Sequence, residues 1–178
     1  MLEVEIKSPC GDPEAMGEKV ISFGGERLET RIDRDRYFNH PSRNFAETDE
    51  AVRIRSIGDR HYLTYKGPKL SATTKSRVEE EVSVASAEIC ENILLALGFT
   101  DVLLVVKKRE LYELEDIEVC IDTIEGLGSF VELEVQTDHQ DKGEKKLFEL
   151  AERLGLADFI NRSYLETVSY THLTLPTN

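Results

Sequence analysis

In this chain charged side chains, and not merely polar ones, alternate with apolar side chains at a period of two. Residues two apart on an extended strand share a face. Leu2-Glu3-Val4-Glu5-Ile6-Lys7 therefore sets Glu3, Glu5 and Lys7 against Leu2, Val4 and Ile6. Arg53 and Arg55 lie opposite Val52 and Ile54, and Thr64 and Lys66 opposite Leu63 and Tyr65. Arg77, Glu79 and Glu81 share a face, as do Lys107 and Arg109, Cys120 and Asp122, and Glu132, Glu134 and Gln136. One such strand is explained by an ordinary solvated sheet face, but solvated faces mix Thr, Ser, Gln and Lys. Here Glu-x-Glu-x-Lys, Arg-x-Arg, Lys-x-Arg and Glu-x-Glu recur on separate segments. A sheet closed on itself with its apolar side under helices would gather these charges inside.

The alternation predicts strands over Leu2–Lys7, Glu26–Asn39, Ala51–Ile57, Arg60–Lys66, Lys75–Val84, Asp101–Leu114, Glu118–Ile124 and Phe130–Gln136. Helical spacing replaces it in three places. Asp12-Pro13 starts a helix over Glu14–Phe23, with Met16, Val20, Ile21 and Phe23 at helical spacing, that Gly24-Gly25 stops. Ser86–Leu97 carries a stripe of Ile89, Ile93, Leu94 and Leu97 before Gly98, and Lys142–Leu154 one of Leu147, Leu150, Ala151 and Leu154 before Gly155. Gly126-Leu127-Gly128 lacks a third glycine and lies between strands, so it reads as a tight turn and not a nucleotide loop. A last short helix or strand is expected over Asn161–Val168. No linker divides the chain, which predicts a single domain over residues 1–167. Residues 168–178 lack the charges found elsewhere and read as a non-native or disordered tail.

Composition excludes several function classes. The net charge of −13 repels a phosphate backbone at long range, so no nucleic-acid partner is expected; Lys142, Lys145 and Lys146 read as a solvated helix face. The longest near-apolar run, Ile93–Phe99, is far below the roughly 20 residues that span a bilayer, and no signal segment opens the chain. A cytoplasmic protein without a membrane partner is expected, and a homodimer is compatible with the sequence without being specified by it. Cys10, Cys90 and Cys120 are spaced as reduced thiols, and the histidines have no zinc-site spacing.

A charged interior is costly unless its ions compensate one another or a ligand does so. Lys7, Arg53, Arg55, Lys66, Lys107 and Arg109 approximate the charge of a nucleoside triphosphate, and clustered carboxylates supply the hard oxygens that Mg²⁺ or Mn²⁺ prefers. The bare chemistry therefore points to a triphosphate with a divalent ion.

A resemblance sharpens this. Glu3-Val4-Glu5-Ile6-Lys7 resembles the opening Glu-x-Glu-x-Lys signature of the CYTH, or triphosphate tunnel metalloenzyme, superfamily. Tyr37-Phe38-Asn39, Thr48–Arg55, Leu63–Pro68, Arg77–Val82, Leu97-Gly98-Phe99, Val106–Arg109, Cys120-Ile121-Asp122 and Leu127–Glu134 are similar to its successive blocks, from about residue 2 to residue 166. The resemblance implies an α+β fold, an eight-stranded antiparallel β-barrel with helices packed outside. It implies that Glu3, Glu5, Asp122, Glu132 and Glu134 hold the metal, some of them only orienting an arginine. Lys7, Arg53, Arg55, Lys66, Lys107 and Arg109 would hold the phosphate chain, with Glu79 and Glu81 beside them. Lys7, Glu5 and Glu134 would act on the reacting groups, Lys7 helping to position or deprotonate a water.

The run is most similar to the class IV adenylyl cyclase branch, which implies conversion of ATP to cyclic AMP and pyrophosphate. A triphosphatase acting on tripolyphosphate, thiamine triphosphate or a nucleoside triphosphate is the alternative, and a non-catalytic polyphosphate or nucleotide binder a third. No aromatic or amide pair that would grip adenosine is recognisable. Asn39 and Arg31 depart from the Asp and Gln frequent in the family, and both are expected to lie outside the charged set.

Overall fold

The computed structural model describes residues 2–68 and 77–160. In chain order the elements are β1 (Leu2–Cys10), α1 (Pro13–Ser22), β2 (Glu26–Asn39), α2 (Phe45–Thr48), β3 (Ala51–Ile57), β4 (Arg60–Lys66) and β5 (Glu79–Val84). They continue with α3 (Ala87–Ala96), β6 (Thr100–Leu114), β7 (Ile117–Ile124), β8 (Gly128–Thr137) and α4 (Gln140–Leu154). The strands form one 8-stranded sheet in the order β1-β8-β7-β6-β2-β3-β4-β5. Every ladder in it is antiparallel. The sheet curls until its edges meet at an isolated bridge, where Arg77 N–H donates to the Glu3 carbonyl at 3.3 Å. This is the α+β barrel with outer helices that the alternation and the resemblance imply.

The apolar half of each strand explains the curl. Val4, Ile6, Val119, Ile121, Val131 and Leu133 turn outward and pack beneath α1 and α4 against Val20, Leu147, Leu150 and Leu154. Val52 and Ile54 do the same beneath α3, packing with Phe38, Phe45, Cys90 and Leu94. Burying each large aliphatic side chain contributes about 1.5–3 kcal/mol, so the main cores lie between barrel and helices, and the inner face is left to the charges. One apolar cluster lies on the inner face. Tyr37, Val105, Ile124 and Phe130 each stand two residues from a charged neighbour on the same row, namely Asp35, Lys107, Asp122 and Glu132, and they pack together with Ile160 against them. They plug one end of the barrel.

Local signals set the helix ends. Asp12 accepts from Ala15 N–H at 3.0 Å with Pro13 at the first helical position, and Gly155, at φ +68°, ends α4 in a left-handed conformation that suits glycine. Gly143 lets α4 approach the sheet closely, since a Cβ there would lie 2.9 Å from Thr137 Cγ2 and 3.2 Å from Val4 Cγ2.

Several expectations are corrected. The Ser86–Leu97 stripe is mostly outside the core: α3 rests on Cys90 and Leu94, whereas Ile89, Ile93 and Leu97 are 62%, 54% and 65% exposed. Ile89 and Ile93 each lie about 100° round the helix from the seated residue that follows them, and Leu97 is the cap residue past the helix end. Ile21 and Phe23 are likewise exposed at the end of α1. Of the strand expected over Lys75–Val84, Glu79–Val84 is regular and Arg77 makes the isolated bridge, while positions 75 and 76 lie outside the described residues. The short helix α2, capped by Asn44 on Ala46 N–H, was not expected. The element expected over Asn161–Val168 and the tail at 168–178 lie outside the described residues. No described helix is long and apolar enough to cross a membrane. All three cysteines are free thiols.

Candidate active site

The ladder registers determine which charges meet. Glu5 stands opposite Glu134, Lys7 opposite Glu132, Arg109 opposite Asp122 and Asp35 opposite Arg55. With the apolar face turned to the helices, these side chains converge on a cavity of about 450 Å³. Lys7, Arg53, Arg55, Lys66, Lys107 and Arg109 all line it, as do Glu3, Glu5, Glu79, Glu81, Glu132 and Glu134. Asp122 lies in the wall behind them, fully buried.

Each cation is held by a carboxylate. Arg55 donates through Nε and Nη2 to the two oxygens of Asp35, each at 2.7 Å. Arg109 forks onto Asp122 in the same way, also at 2.7 Å, and its Nη2 reaches Glu132 at 2.5 Å. Lys107 Nζ donates to Asp122 Oδ2 at 2.8 Å. Arg53 reaches Glu79 at 3.4 Å and Asp35 at 3.6 Å, and Lys66 bridges Glu79 and Glu3. Two-pronged pairs fix the plane of each guanidinium, which is how a buried cation is aimed and not merely neutralised.

The carboxylates divide by environment. Burial raises the carboxyls of Asp35 and Asp122, but the cations outweigh it, Arg55 and Arg53 at Asp35 and Arg109 and Lys107 at Asp122, and hold both below the usual range. Lys66 and Arg53 likewise overcome burial at Glu79 and bring it down to about 2. Burial pushes Glu3 up to about 7 against the pull of Lys66, with Glu79 and Glu5 adding to the rise. Burial, then the charge of Glu3, pushes Glu134 well above the carboxylate range.

The oxygens of Glu5, Glu132 and Glu134 lie within 4.8 Å of one another, and Glu134 accepts no hydrogen bond from any described residue. Adjacent carboxylates on neighbouring strands repel one another, and a hard divalent cation is the ligand that such an oxygen set fits. Glu118, Cys120 and Glu134 form a second close group, in which the Cys120 thiol donates to Glu118 at 3.5 Å. Burial raises that thiol well above its ordinary pKa.

Of the residues expected to hold metal, Glu5, Glu132 and Glu134 come together, with Glu3 beside Lys66 and Gln136. Both oxygens of Asp122 are committed to Arg109 and Lys107, so its place is that of a carboxylate orienting cations. Glu81 sits at the rim, accepting from Thr64 at 2.8 Å. Asp33 and Asp35 were not singled out, yet both are buried in the charged wall. The signal was present, because Arg31-x-Asp33-x-Asp35-x-Tyr37 continues the same period of two along β2. The expectation that Arg31 stands apart is corrected: it lines the cavity and donates to Asp33 at 2.8 Å. The uncharged lining of the cavity includes Phe38, Asn39, Asn44, Phe45, Ala46 and Val102, with Asp49 and Glu50 beside them. Asn39 thereby also joins the site's wall.

The family model described as the CYTH domain matches residues 1–164. A proposed adenylate cyclase of Methanocaldococcus jannaschii is 39% identical over 171 residues, 93% of this chain and 98% of the relative. The adenylate cyclase CyaB of Aeromonas hydrophila is 30% identical over 178 residues, 96% of this chain and 87% of that protein. A solved structure of a Pyrococcus horikoshii protein superposes with a TM-score of 0.86 at 36% identity, covering 95% of this chain and 99% of that one. With its matched span, its inward charges and its eight-stranded barrel, the chain belongs to the CYTH family.

Proposed function

We propose that this protein is a divalent-metal-dependent enzyme that holds a triphosphate inside the tunnel and converts ATP to cyclic AMP and pyrophosphate. The observation that carries the reading is the gathering of Arg53, Arg55, Lys66, Lys107 and Arg109 round the same cavity as the Glu5, Glu132 and Glu134 oxygens. The adenylate cyclase names of two relatives favour cyclisation, as does a cavity whose lining also includes Phe45, Ala46 and Val102, apolar surface that a nucleoside can cover.

Mg²⁺ or Mn²⁺ on Glu5, Glu132 and Glu134, with Glu3 beside them, would neutralise charge on the phosphoryl oxygens. The other steps belong to the chain's own side chains. Arg55 and Arg109 use Nε and Nη2 on their carboxylates, leaving Nη1 of each for phosphate oxygens. In cyclisation the ribose 3′-hydroxyl attacks the α-phosphorus, the bond to the pyrophosphate oxygen breaks, and the hydroxyl proton is released to solvent. Arginines already aimed before substrate arrives stabilise the charge that grows on that leaving group, without reorganising at the moment of reaction. Lys7, buried and 3.5 Å from Glu132, orients the attacking oxygen.

One observation favours hydrolysis as a second reading. Two amides of the cavity lining have their oxygens engaged: Asn39 Oδ1 accepts from Phe45 N–H at 2.9 Å, and Asn44 Oδ1 caps Ala46 while its Nδ2 donates to Glu47. Both side-chain oxygens are taken, so only amide N–H groups remain to meet a base, whereas a water aimed at the γ-phosphorus needs no such grip. Incubation with ATP, tripolyphosphate and thiamine triphosphate, each with Mg²⁺ or Mn²⁺, separates the readings. Cyclic AMP with pyrophosphate is the expected outcome; orthophosphate release without cyclic AMP would replace the cyclase by a triphosphatase. Binding without turnover of any of them would leave a polyphosphate-binding module.

A further inference from the structure

Asp33 differs from the other wall carboxylates in what it holds. It is fully buried, and its Oδ1 accepts from Arg31 Nε at 2.8 Å. Its Oδ2 accepts no hydrogen bond from any described residue and lies 3.6 Å from Arg55 Nε and 4.0 Å from Arg109 Nε. Those two guanidiniums are already forked onto Asp35 and Asp122, so Asp33 is not needed to align them. It adds negative charge within 4.0 Å of arginines from β2, β3 and β6. A carboxylate there opposes any anion drawn to the same cations, and weak solvation makes the opposition strong. Uniformly tight binding of a phosphate chain gives no rate advantage and delays a product that carries the same groups as the substrate.

We propose that Asp33 is a counter-charge that weakens the tunnel's hold on polyphosphate and so lets the polyphosphate product leave. This rests on reading the tunnel as a triphosphate site. Asp33 touches no reacting atom and acts through Arg31, Arg55 and Arg109, and a merely structural role predicts the opposite sign, since loosening the arginines would weaken anion binding.

The test is calorimetric titration of inorganic pyrophosphate and tripolyphosphate, with Mg²⁺, into the wild type, Asp33→Asn and Asp35→Asn. Asp33→Asn is expected to bind pyrophosphate on the order of tenfold more tightly, with KM and kcat falling together, while Asp35→Asn binds more weakly because Arg55 loses its fork. Unchanged or weaker pyrophosphate binding by Asp33→Asn overturns the role of Asp33 and leaves the tunnel reading standing. Wild-type protein that binds neither anion overturns the tunnel reading, and Asp33's role with it. Should Asp33→Asn fail to fold, Asp33→Ser, which leaves room for a water, is titrated instead with the same outcomes.

Discussion

Asp35 and Asp122 each commit both oxygens to buried cations, and this makes them structural as well as electrostatic elements of the site. Removing one partner of such a pair strands the other charge, which costs about 3–5 kcal/mol in a buried setting. Asp35→Ala is therefore expected to lose stability on that order in denaturant unfolding, and a loss below about 1 kcal/mol would show that Arg55 finds another partner. The shifts also predict how stability changes with pH. Asp35 and Asp122 are depressed, so their contribution is present above the unfolded carboxylate pKa and is lost as pH falls through their folded values. Glu3 is raised to about 7, so its contribution has the opposite sign, present below its unfolded value and lost as pH rises through about 7. Metal-free protein should accordingly lose melting temperature between about pH 5 and 8, and Glu3→Gln should flatten that loss; an equally steep profile in the variant would contradict the assignment to Glu3. Glu5→Gln and Glu134→Gln should abolish metal-dependent turnover with little change in folding, and full activity in both would refute their role as ligands.

The helices show which elements could be read from the chain and which could not. In α4 the charged residues leave only one apolar stripe, so Leu147, Leu150, Ala151 and Leu154 had a single way to face the sheet, and all are buried. Within Ala87–Ala96 only Glu88, Glu91 and Asn92 are charged or carry an amide, so α3 offers apolar side chains on more than one side. Which side sits down is decided by the neighbouring sheet, not by helical spacing, and the outcome is Cys90 and Leu94 in place of Ile89 and Ile93. Leu150→Ala should therefore cost about 2–5 kcal/mol by chemical denaturation. Ile93→Ser should stay within about 0.5 kcal/mol. Equal losses would mean that the exposed face of α3 is covered in solution. The four-residue α2 is too short to show a period at all. Its start depends on the Asn44 cap and on Asn39 accepting from Phe45 N–H across the turn.

For the molecule as a whole, the inward set of charges was legible because a period of two leaves no freedom once the apolar face is assigned. Lys7, Arg53, Arg55, Lys66, Lys107 and Arg109 duly line one cavity. The partners were less legible, since pairing depends on register between strands far apart in the chain. Asp122 looks like Glu132 in the sequence, yet one is wholly occupied by Arg109 and Lys107 while the other also joins the Glu5 and Glu134 oxygens. The plug of Tyr37, Val105, Ile124 and Phe130 was hidden for a similar reason, because each of its members belongs to a different strand. Diffraction from crystals grown with Mn²⁺ and a non-reactive ATP analogue would decide the matter most directly. The phosphate chain should lie among Arg53, Arg55, Lys66 and Arg109, with anomalous manganese signal at Glu5, Glu132 and Glu134. Nucleotide on the outer surface, or manganese bound away from those three carboxylates, would contradict a triphosphate site in the tunnel.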